Sequence, residues 1–183
     1  MGATFVAFKG LTEARKAELQ RRGTLLDVSS YGRDGWNVLS PRYFHEGIPV
    51  PGMDGQTART VEGIWQGLKV RPDVPGDGTD LAMLNGRPKK RGRPIGHKFG
   101  HEVIRDPIEA RRKIYLPSFT WMVRNCQAAA RKYADLVELA RAGEVFLYDR
   151  ESNGDLLSFK PIAHAAILAT MVNCDLAGKP YPW

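Results

Sequence analysis

The spacing of apolar residues predicts helices in the first half of the chain. Within residues 57–70, the apolar side chains fall at i, i+3, i+4 and i+7, on one face of an amphipathic helix: Val61, Ile64, Trp65 and Leu68. A second helix is predicted over 12–22, where Thr12 can cap the start and Gly23 can end it in a left-handed turn. Both patterns indicate helices that bury one face.

The C-terminal half carries longer helical patterns. The motif DPIE at 106–109 is typical of a helix start, and we expect that helix to stop before Pro117. A long helix over 118–142 follows, because its apolar residues keep a helical period throughout. A last helix over 161–173 is apolar nearly all round, so we expect it to be buried in the middle of the fold.

Between these helices, short apolar runs predict strands. TLLDVS at 24–29 and EVFLYD at 144–149 are the clearest, while 37–52 holds short extended pieces broken by prolines. Residues 71–101 are rich in glycine and proline and then in basic residues, which indicates a long ordered loop or arm within one domain. The pattern as a whole predicts an α+β fold: a mostly α-helical single domain over 1–183 with a small β-sheet.

Composition narrows the class of protein and its location. The chain has 183 residues and a formal net charge of +7, with an isoelectric point of about 9.6, which favours a polyanionic partner such as nucleic acid or a phosphorylated ligand. Its two cysteines, without a signal peptide, are expected to be reduced thiols in a cytoplasmic protein. No stretch approaches the roughly 20 apolar residues of a membrane helix, so no membrane partner is expected.

The predicted helix over 57–70 also carries candidate chemistry. Glu62, Gln66 and Lys69 lie at i, i+4 and i+7, and this polar stripe is either a solvated face or part of a site. Gly63 and Gly67 share one face, which indicates close approach of a helix, a loop or a ligand. Trp65 lies one turn from Glu62, where an aromatic ring can raise the pKa of a carboxylate and stack on a planar group.

Two adjacent segments resemble a known family. NVLSPRYFHEGIPVP followed by ARTVEGIWQGLK is similar to the start of the NADAR superfamily, the YbiA-like domains. The matching residues are Leu39, Ser40, Tyr43, Phe44, Val61, Glu62, Gln66 and Lys69. The resemblance covers roughly 24–173 by the order and spacing of its elements. It departs from the family pattern before the last helix, where the chain has Asp155 but lacks the Asp-x-x-Trp-Gly sequence.

The resemblance implies an N-glycosidase that cleaves a ribose–nitrogen bond. Implied substrates are ADP-ribose conjugates, including ADP-ribosylated guanine of nucleic acid, or phosphorylated aminopyrimidines. In such chemistry one carboxylate handles water and another stabilises the positive charge on the sugar. Glu62 and Asp155 are the candidates, with Asp149 as a third, although Asp155 in SNGD also suits a simple turn. The expected substrate-binding residues are Ser40, Tyr43, Phe44, Trp65, Lys69, Arg93, Gly96, His97, Lys98 and Trp121.

The basic segment offers a different kind of site. Arg91-Gly92-Arg93-Pro94, beside Lys89 and Lys90, resembles an AT-hook, whose Arg-Gly-Arg core lies in a narrow minor groove. The residues GRPIGHKFG at 92–100 instead suggest a phosphate clamp of flexible backbone N–H groups with Arg93, His97 and Lys98. The third interpretation is that this segment is only a run of solvent-exposed basic residues.

These alternatives leave more than one function open. Besides the enzyme, the chain could be a non-catalytic ADP-ribose- or DNA-binding module that uses the RGRP-containing loop, or an accessory protein of a phage or of host defence. No cofactor or metal is expected, because there is no Walker or dinucleotide fingerprint and no Cys/His cluster at zinc spacing. Tyr31, Tyr43 and Phe44 can stack on a base or serve as core, and His164 is expected to be a core residue.

Overall fold

The computed structural model describes residues 1–86 and 92–183. The chain separates into two compact units: unit 1 comprises Met1–Ser40 and Ala128–Trp183, and unit 2 comprises Pro41–Gln127. Both units combine helices with short strands, so the α+β prediction is confirmed. That the whole chain acts as a single domain stays a prediction.

The elements follow one another along the chain in a fixed order. The strands are β1 (Gly2–Phe5), β2 (Thr24–Asp27), β3 (Ile48–Pro49), β4 (Thr57–Ala58), β5 (Lys69–Val70), β6 (Gly96–Phe99), β7 (Glu102–Ile104) and β8 (Glu144–Tyr148). The α-helices are α1 (Glu13–Arg22), α2 (Val61–Gly67), α3 (Pro107–Ala110), α4 (Leu116–Asn125), α5 (Gln127–Ala142) and α6 (His164–Ala177). A π-helical turn, Arg111–Tyr115, joins α3 to α4, and 3-10 helices lie at Trp36–Leu39 and Leu81–Leu84.

Unit 1 is built on a parallel three-stranded sheet with β8 in the centre. Phe146 of β8 is in register with Thr4 of β1 on one side and Leu25 of β2 on the other. Residues 145–147 are buried in succession, as in parallel strands that are covered on both faces. The predicted strands at 24–29 and 144–149 are therefore confirmed, whereas β1 was not predicted.

Helix α6 packs on β1 and β8. It is buried on nearly every side, as its apolar composition predicted. It begins at His164, later than the predicted 161, because Asn153 holds the preceding segment: the Asn153 carbonyl accepts from the Ala163 amide at 2.8 Å, and its side chain donates to the Pro161 carbonyl at 3.1 Å. It ends at Gly178, whose φ of 61° is left-handed.

The start of α1 is confirmed and its end is not. The Thr12 hydroxyl accepts from the Arg15 amide at 3.2 Å, as a capping side chain does. Gly23, however, is extended, with φ of −176°, so the predicted left-handed turn is wrong. A Cβ at this position would lie 2.2 Å from the Glu144 carbonyl oxygen, and close approach to the start of β8 is what requires glycine.

In unit 2, the predicted helix over 57–70 is shorter at both ends. Thr57–Ala58 pairs with Ile48–Pro49 as an antiparallel ladder, and Lys69–Val70 pairs with β6. Only Val61–Gly67 is α-helical, because Thr60 is extended and caps the first turn through its hydroxyl. The apolar stripe was identified correctly, but backbone pairing outside the helix limits its length.

The basic segment contains a strand, β6, where a long ordered loop or arm was predicted. β6 pairs with both β5 and β7, the Lys98 amide donates to the Leu68 carbonyl at 2.8 Å, and the Ile95 amide donates to the Val70 carbonyl at 2.9 Å. These amides are therefore not available as an anion nest, and that part of the phosphate-clamp prediction is wrong. The AT-hook core at Arg91, with Lys89 and Lys90, falls outside the described residues.

The predicted helix break is also displaced. The chain stays helical through Pro117, because the wider π turn ahead of it accommodates the proline ring. The break falls at Cys126, whose ψ of 119° is extended. There the Asn125 side chain donates to the Trp121 carbonyl at 2.9 Å, and such local bonds compete with helix continuation.

No helix in residues 1–86 or 92–183 has the length and apolar character needed to cross a bilayer.

A buried hydrogen-bonded pair of side chains, His164 and Asp149, joins α6 to the carboxyl ends of two strands in unit 1. His164 Nδ1 lies 2.9 Å from Asp149 Oδ2, and His164 Nε2 lies 2.8 Å from the Val28 carbonyl oxygen. Asp149 also accepts from the Ala165 amide at 2.9 Å. Burial acts to raise the pKa of Asp149, but the bonds from His164 and the backbone outweigh it and hold the pKa below its ordinary value.

Replacing Asp149 should destabilise the protein substantially. In Asp149→Asn the buried imidazole loses its carboxylate, so we expect the free energy of unfolding to fall by about 3–5 kcal/mol in urea titrations at neutral pH. Since the folded-state pKa lies below the unfolded one, this contribution is present above about pH 4 and is lost as the pH falls further. Asp135→Asn, on the exposed face of α5, is the matched control; an equal effect from both variants would contradict the assignment.

Candidate functional site

Glu62 stands in the first turn of α2. The Thr60 hydroxyl accepts from the Gly63 amide at 2.8 Å, and the Glu62 amide donates to the Pro41 carbonyl at 2.8 Å, which fixes the start of the helix. A carboxylate here is favoured by the positive end of the helix. The Glu62 side chain is 15% exposed, so it is largely covered but reachable from solvent.

The predicted polar stripe forms a continuous hydrogen-bonded chain. Gln66 Nε2 donates to Glu62 Oε1 at 2.9 Å, and Lys69 Nζ donates to Gln66 Oε1 at 3.0 Å. Gln66 is buried, so at this position the stripe is not a solvated face. Lys69 reaches the chain from β5 rather than from the helix.

Arg71, which the sequence analysis missed, completes this network. Its side chain is 1% exposed, and it donates to the carbonyls of Gln66 and Lys69 at 3.3 Å each and to Gln66 Oε1 at 3.4 Å. Because Lys69 and Arg71 both donate to Gln66 Oε1, the amide nitrogen of Gln66 must face Glu62. Arg42, also missed, brings its guanidinium to 4.0 Å from Glu62 Oε1. Nothing in the sequence pattern separates these arginines from the other basic residues.

Trp65 lies within an aromatic cluster beside this network. Its ring stacks on His97, with 3.9 Å between centroids and 29° between planes, and meets Tyr115 edge-on at 5.7 Å. Lys69 Nζ lies 5.8 Å from the Trp65 ring. The Trp65 ring therefore stacks on an imidazole of the protein. Its stacking on a substrate stays a prediction.

His97 is buried and electrically neutral. Burial, together with the charges of Lys69 and Arg71, lowers the pKa of His97 to about 3. Its Nε2 has no hydrogen-bond partner among the described residues. His97 therefore does not bring the positive charge that the phosphate-clamp hypothesis assigned to it.

The other residues of the basic segment differ in their surroundings. Lys98 forms an ion pair with Asp77, and the hydrogen bond from Lys98 holds the pKa of Asp77 well below its usual range. Gly96 is buried, and a Cβ there would lie 2.6 Å from the Ile104 carbonyl oxygen of β7. Arg93 is exposed. Among the predicted phosphate contacts that the structure describes, Arg93, His97 and Lys98, only Arg93 keeps an open position.

The aromatic candidates ahead of α2 also have partners of their own. The Phe44 ring lies 4.8 Å from the Arg59 guanidinium and is partly exposed, whereas Tyr43 contacts His45 with 5.0 Å between ring centroids. Trp121 is half-buried on α4. Ser40 is buried in unit 1.

The remaining carboxylates belong to unit 1. Asp155 is exposed, and its Oδ1 accepts from the Leu157 amide at 2.8 Å, which is the turn geometry that was the alternative for this residue. Asp149 is the buried partner of His164 described above. That Glu62 and Asp155 act together on one substrate stays a prediction.

The paired glycines of α2 face a neighbouring loop rather than open space. A Cβ on Gly63 would lie 2.5 Å from the Met83 carbonyl oxygen, and one on Gly67 would lie 3.3 Å from that of Asp80. Helix α2 therefore packs closely against the Leu81–Leu84 turn, which supports the tight-packing alternative for these glycines.

In residues 1–86 and 92–183, no three His, Cys, Asp or Glu side chains are grouped as a metal site requires.

Comparison with known proteins yields one match. The model of a family described as "Family of unknown function (DUF6939)" covers residues 12–168, a span that includes the elements of both units from α1 to the first five residues of α6. No curated protein and no solved structure matches the chain.

Gly63→Ala should destabilise the protein, although alanine favours helices in general. Its Cβ would collide with a backbone oxygen, so we expect a loss of about 1–3 kcal/mol in chemical unfolding. Gly67→Ala is the matched comparison, because its Cβ would lie 3.3 Å from the Asp80 carbonyl oxygen, a tight contact that a shift of a few tenths of an ångström relieves, and the helix propensity gained is about 1 kcal/mol. A Gly63→Ala variant as stable as Gly67→Ala would refute the packing assignment.

His97 should make stability pH-dependent. In the unfolded chain this imidazole binds a proton below about pH 6.5. In the folded chain it stays neutral down to about pH 3. The free energy of unfolding should therefore fall by up to about 1.4 kcal/mol per pH unit in this window. His97→Phe keeps a ring on Trp65 and removes the titration.

The test is the difference in unfolding free energy between wild type and His97→Phe, measured from pH 7 to pH 4. The unfolding free energy of the wild type minus that of His97→Phe should decrease as the pH falls. His101→Gln, at an exposed histidine, should show the same pH dependence as the wild type. A difference that stays constant with pH would exclude this assignment.

Proposed function

The chain belongs to the DUF6939 family, whose function is unknown, and we propose that it is an N-glycosidase-like enzyme. The reaction is cleavage of a ribose–nitrogen bond in an ADP-ribose conjugate, for example ADP-ribosylated guanine of nucleic acid, or in a related nucleotide. The observation that carries the proposal is the Glu62 carboxylate, largely covered and held by Gln66 within reach of Lys69 and Arg71.

The arrangement around Glu62 suits this chemistry. Cleavage of an N-glycosidic bond builds positive charge on the sugar, which a fixed carboxylate stabilises, or the carboxylate takes a proton from the attacking water. Gln66 occupies Oε1, and Oε2 makes no hydrogen bond to a described residue, so Oε2 is the atom left for substrate or water. Asp155 is the proposed second carboxylate, with Asp149 as the alternative.

Cations near Glu62 support an anionic substrate. Arg42 is exposed beside the carboxylate, and Lys69 lies at the far end of the Gln66 chain. Their charge would offset the diphosphate of an ADP-ribose group. The resemblance of the Val61-Glu62, Gln66 and Lys69 pattern to NADAR domains supports the same substrate class. We further propose a cytoplasmic location, since Cys126 and Cys174 are both free thiols.

A second candidate is a binding module without chemistry, for ADP-ribose or DNA. The formal charge of +7 favours it, together with exposed cations such as Arg59 and Arg93. Such a module would bind the same ligands whether or not Glu62 carries a charge, so one variant separates the two candidates.

The decisive variant is Glu62→Gln. With an oligonucleotide that carries ADP-ribosylated guanine, we expect its kcat/KM to fall by about 10²–10⁴-fold, measured as ADP-ribose released on a chromatography column. Binding of ADP-ribose should change little. Glu46→Gln, an exposed glutamate of the same unit, should retain wild-type turnover.

Two results would contradict the proposal. Unchanged turnover in Glu62→Gln would remove Glu62 from the reaction. Binding without turnover in the wild type, on this substrate and on free ADP-ribosylated nucleosides, would favour the binding module.

A further inference from the structure

Three loops carry aromatic and basic side chains at the carboxyl edge of the unit 1 sheet. They follow β1, β2 and β8 and contain Phe8, Tyr31 and Arg150, respectively. The Arg150 guanidinium carbon lies 4.9 Å from the centroid of the Phe8 ring and 5.2 Å from that of the Tyr31 ring. Phe8 also stacks on Tyr148, with 6.4 Å between centroids. We call Phe8, Tyr31 and Arg150 the arginine–aromatic cluster.

Hydrogen bonds hold the loops that present this cluster. The Tyr31 amide donates to the Ser29 hydroxyl at 3.2 Å, which closes a turn directly after β2. The Lys9 amide donates to the Ser152 hydroxyl at 2.8 Å and ties the loop after β1 to the loop after β8. The cluster is therefore assembled from three separate loops with defined backbones.

The polar edge of Arg150 remains open. Arg150 is exposed and makes no hydrogen bond or ion pair with any residue of 1–86 or 92–183. A guanidinium held by aromatic rings keeps its N–H donors for a phosphate, which it binds in bidentate fashion. Tyr31 is 70% exposed, so its ring is accessible to a planar group.

We propose that the arginine–aromatic cluster binds single-stranded nucleic acid, with a base stacked on Tyr31 and a phosphate on Arg150. Exposed aromatic rings that alternate with arginine are the means by which proteins hold unpaired bases. Duplex bases are already stacked and do not reach such a ring. The position also fits, because ligands of open parallel sheets bind outside the carboxyl ends of the strands.

Stacking, rather than net charge, distinguishes this cluster from the basic surface in general. The same loops carry the exposed cations Lys9 and Arg33, but the exposed acids Asp34 and Glu151 offset them. Removing the Tyr31 ring should therefore matter more than removing one of the many exposed charges. The cluster lies wholly in unit 1, and its binding of nucleic acid does not require the Glu62 carboxylate.

The test is fluorescence anisotropy with the full chain and a labelled single strand of about 12 nucleotides, the size of a typical single-strand site. Tyr31→Ala should weaken binding by about fivefold or more, and Tyr31→Phe should keep wild-type affinity, because the ring face is retained. Arg150→Lys should weaken binding although it preserves the charge, since lysine lacks the planar group. Arg131→Ala, an exposed arginine on α5, is the control for loss of one charge.

Several outcomes would overturn the proposal. They are wild-type affinity in Tyr31→Ala, an equal loss in Arg131→Ala and Arg150→Ala, or equal binding of the duplex form of the same oligonucleotide. Displacement by free mononucleotide at equal nucleotide concentration would identify a small ligand instead. Displacement by polyglutamate at equal charge concentration would show that the positive charge of the protein alone accounts for the binding. Circular dichroism of each variant shows whether a loss of binding reflects unfolding.

Discussion

The buried guanidinium of Arg71 is the constraint on which the Glu62 site depends. A cation taken out of water needs hydrogen-bond acceptors, because an unsatisfied buried charge costs several kcal/mol. Arg71 finds them in the carbonyls of Gln66 and Lys69 and in the Gln66 side chain. The end of α2, the start of β5 and the orientation of the Gln66 amide are therefore set together, and with them the donor that faces Glu62.

Unit 1 uses a buried polar pair in a comparable way. The Asp149 carboxylate bonds to His164 and accepts from the Ala165 amide in the first turn of α6, while the same imidazole bonds to the Val28 carbonyl after β2. The apolar contacts between helix α6 and the sheet are not directional. Directional bonds come from this pair and from the Asn173 side chain, which accepts from the Ala3 amide and donates to the Ala3 carbonyl of β1. The pair thus fixes where α6 starts relative to the strand ends, and those strand ends support the loops of the arginine–aromatic cluster.

The two units differ in how they expose chemistry. In unit 2 the Glu62 side chain is bonded to Gln66 through Oε1, and its Oε2 has no hydrogen bond to a described residue although the side chain is largely covered. In unit 1 the buried acid at the sheet edge, Asp149, bonds within the protein, and the exposed cation Arg150 keeps its donors open. These contrasts, rather than sequence motifs, are the basis for assigning a different ligand chemistry to each unit.

The amino-acid sequence by itself determined the features that depend on neighbouring residues. The caps at Thr12 and Asp106, the apolar stripe of α2 and the apolar surface of α6 follow from local hydrogen bonding and periodicity. Only the tertiary structure decided where strand pairing shortened α2, and that the helix broke at Cys126 rather than Pro117. It also decided that Arg42 lies beside Glu62 and that Arg71 bonds to Gln66, because such contacts join residues whose separation no local pattern encodes.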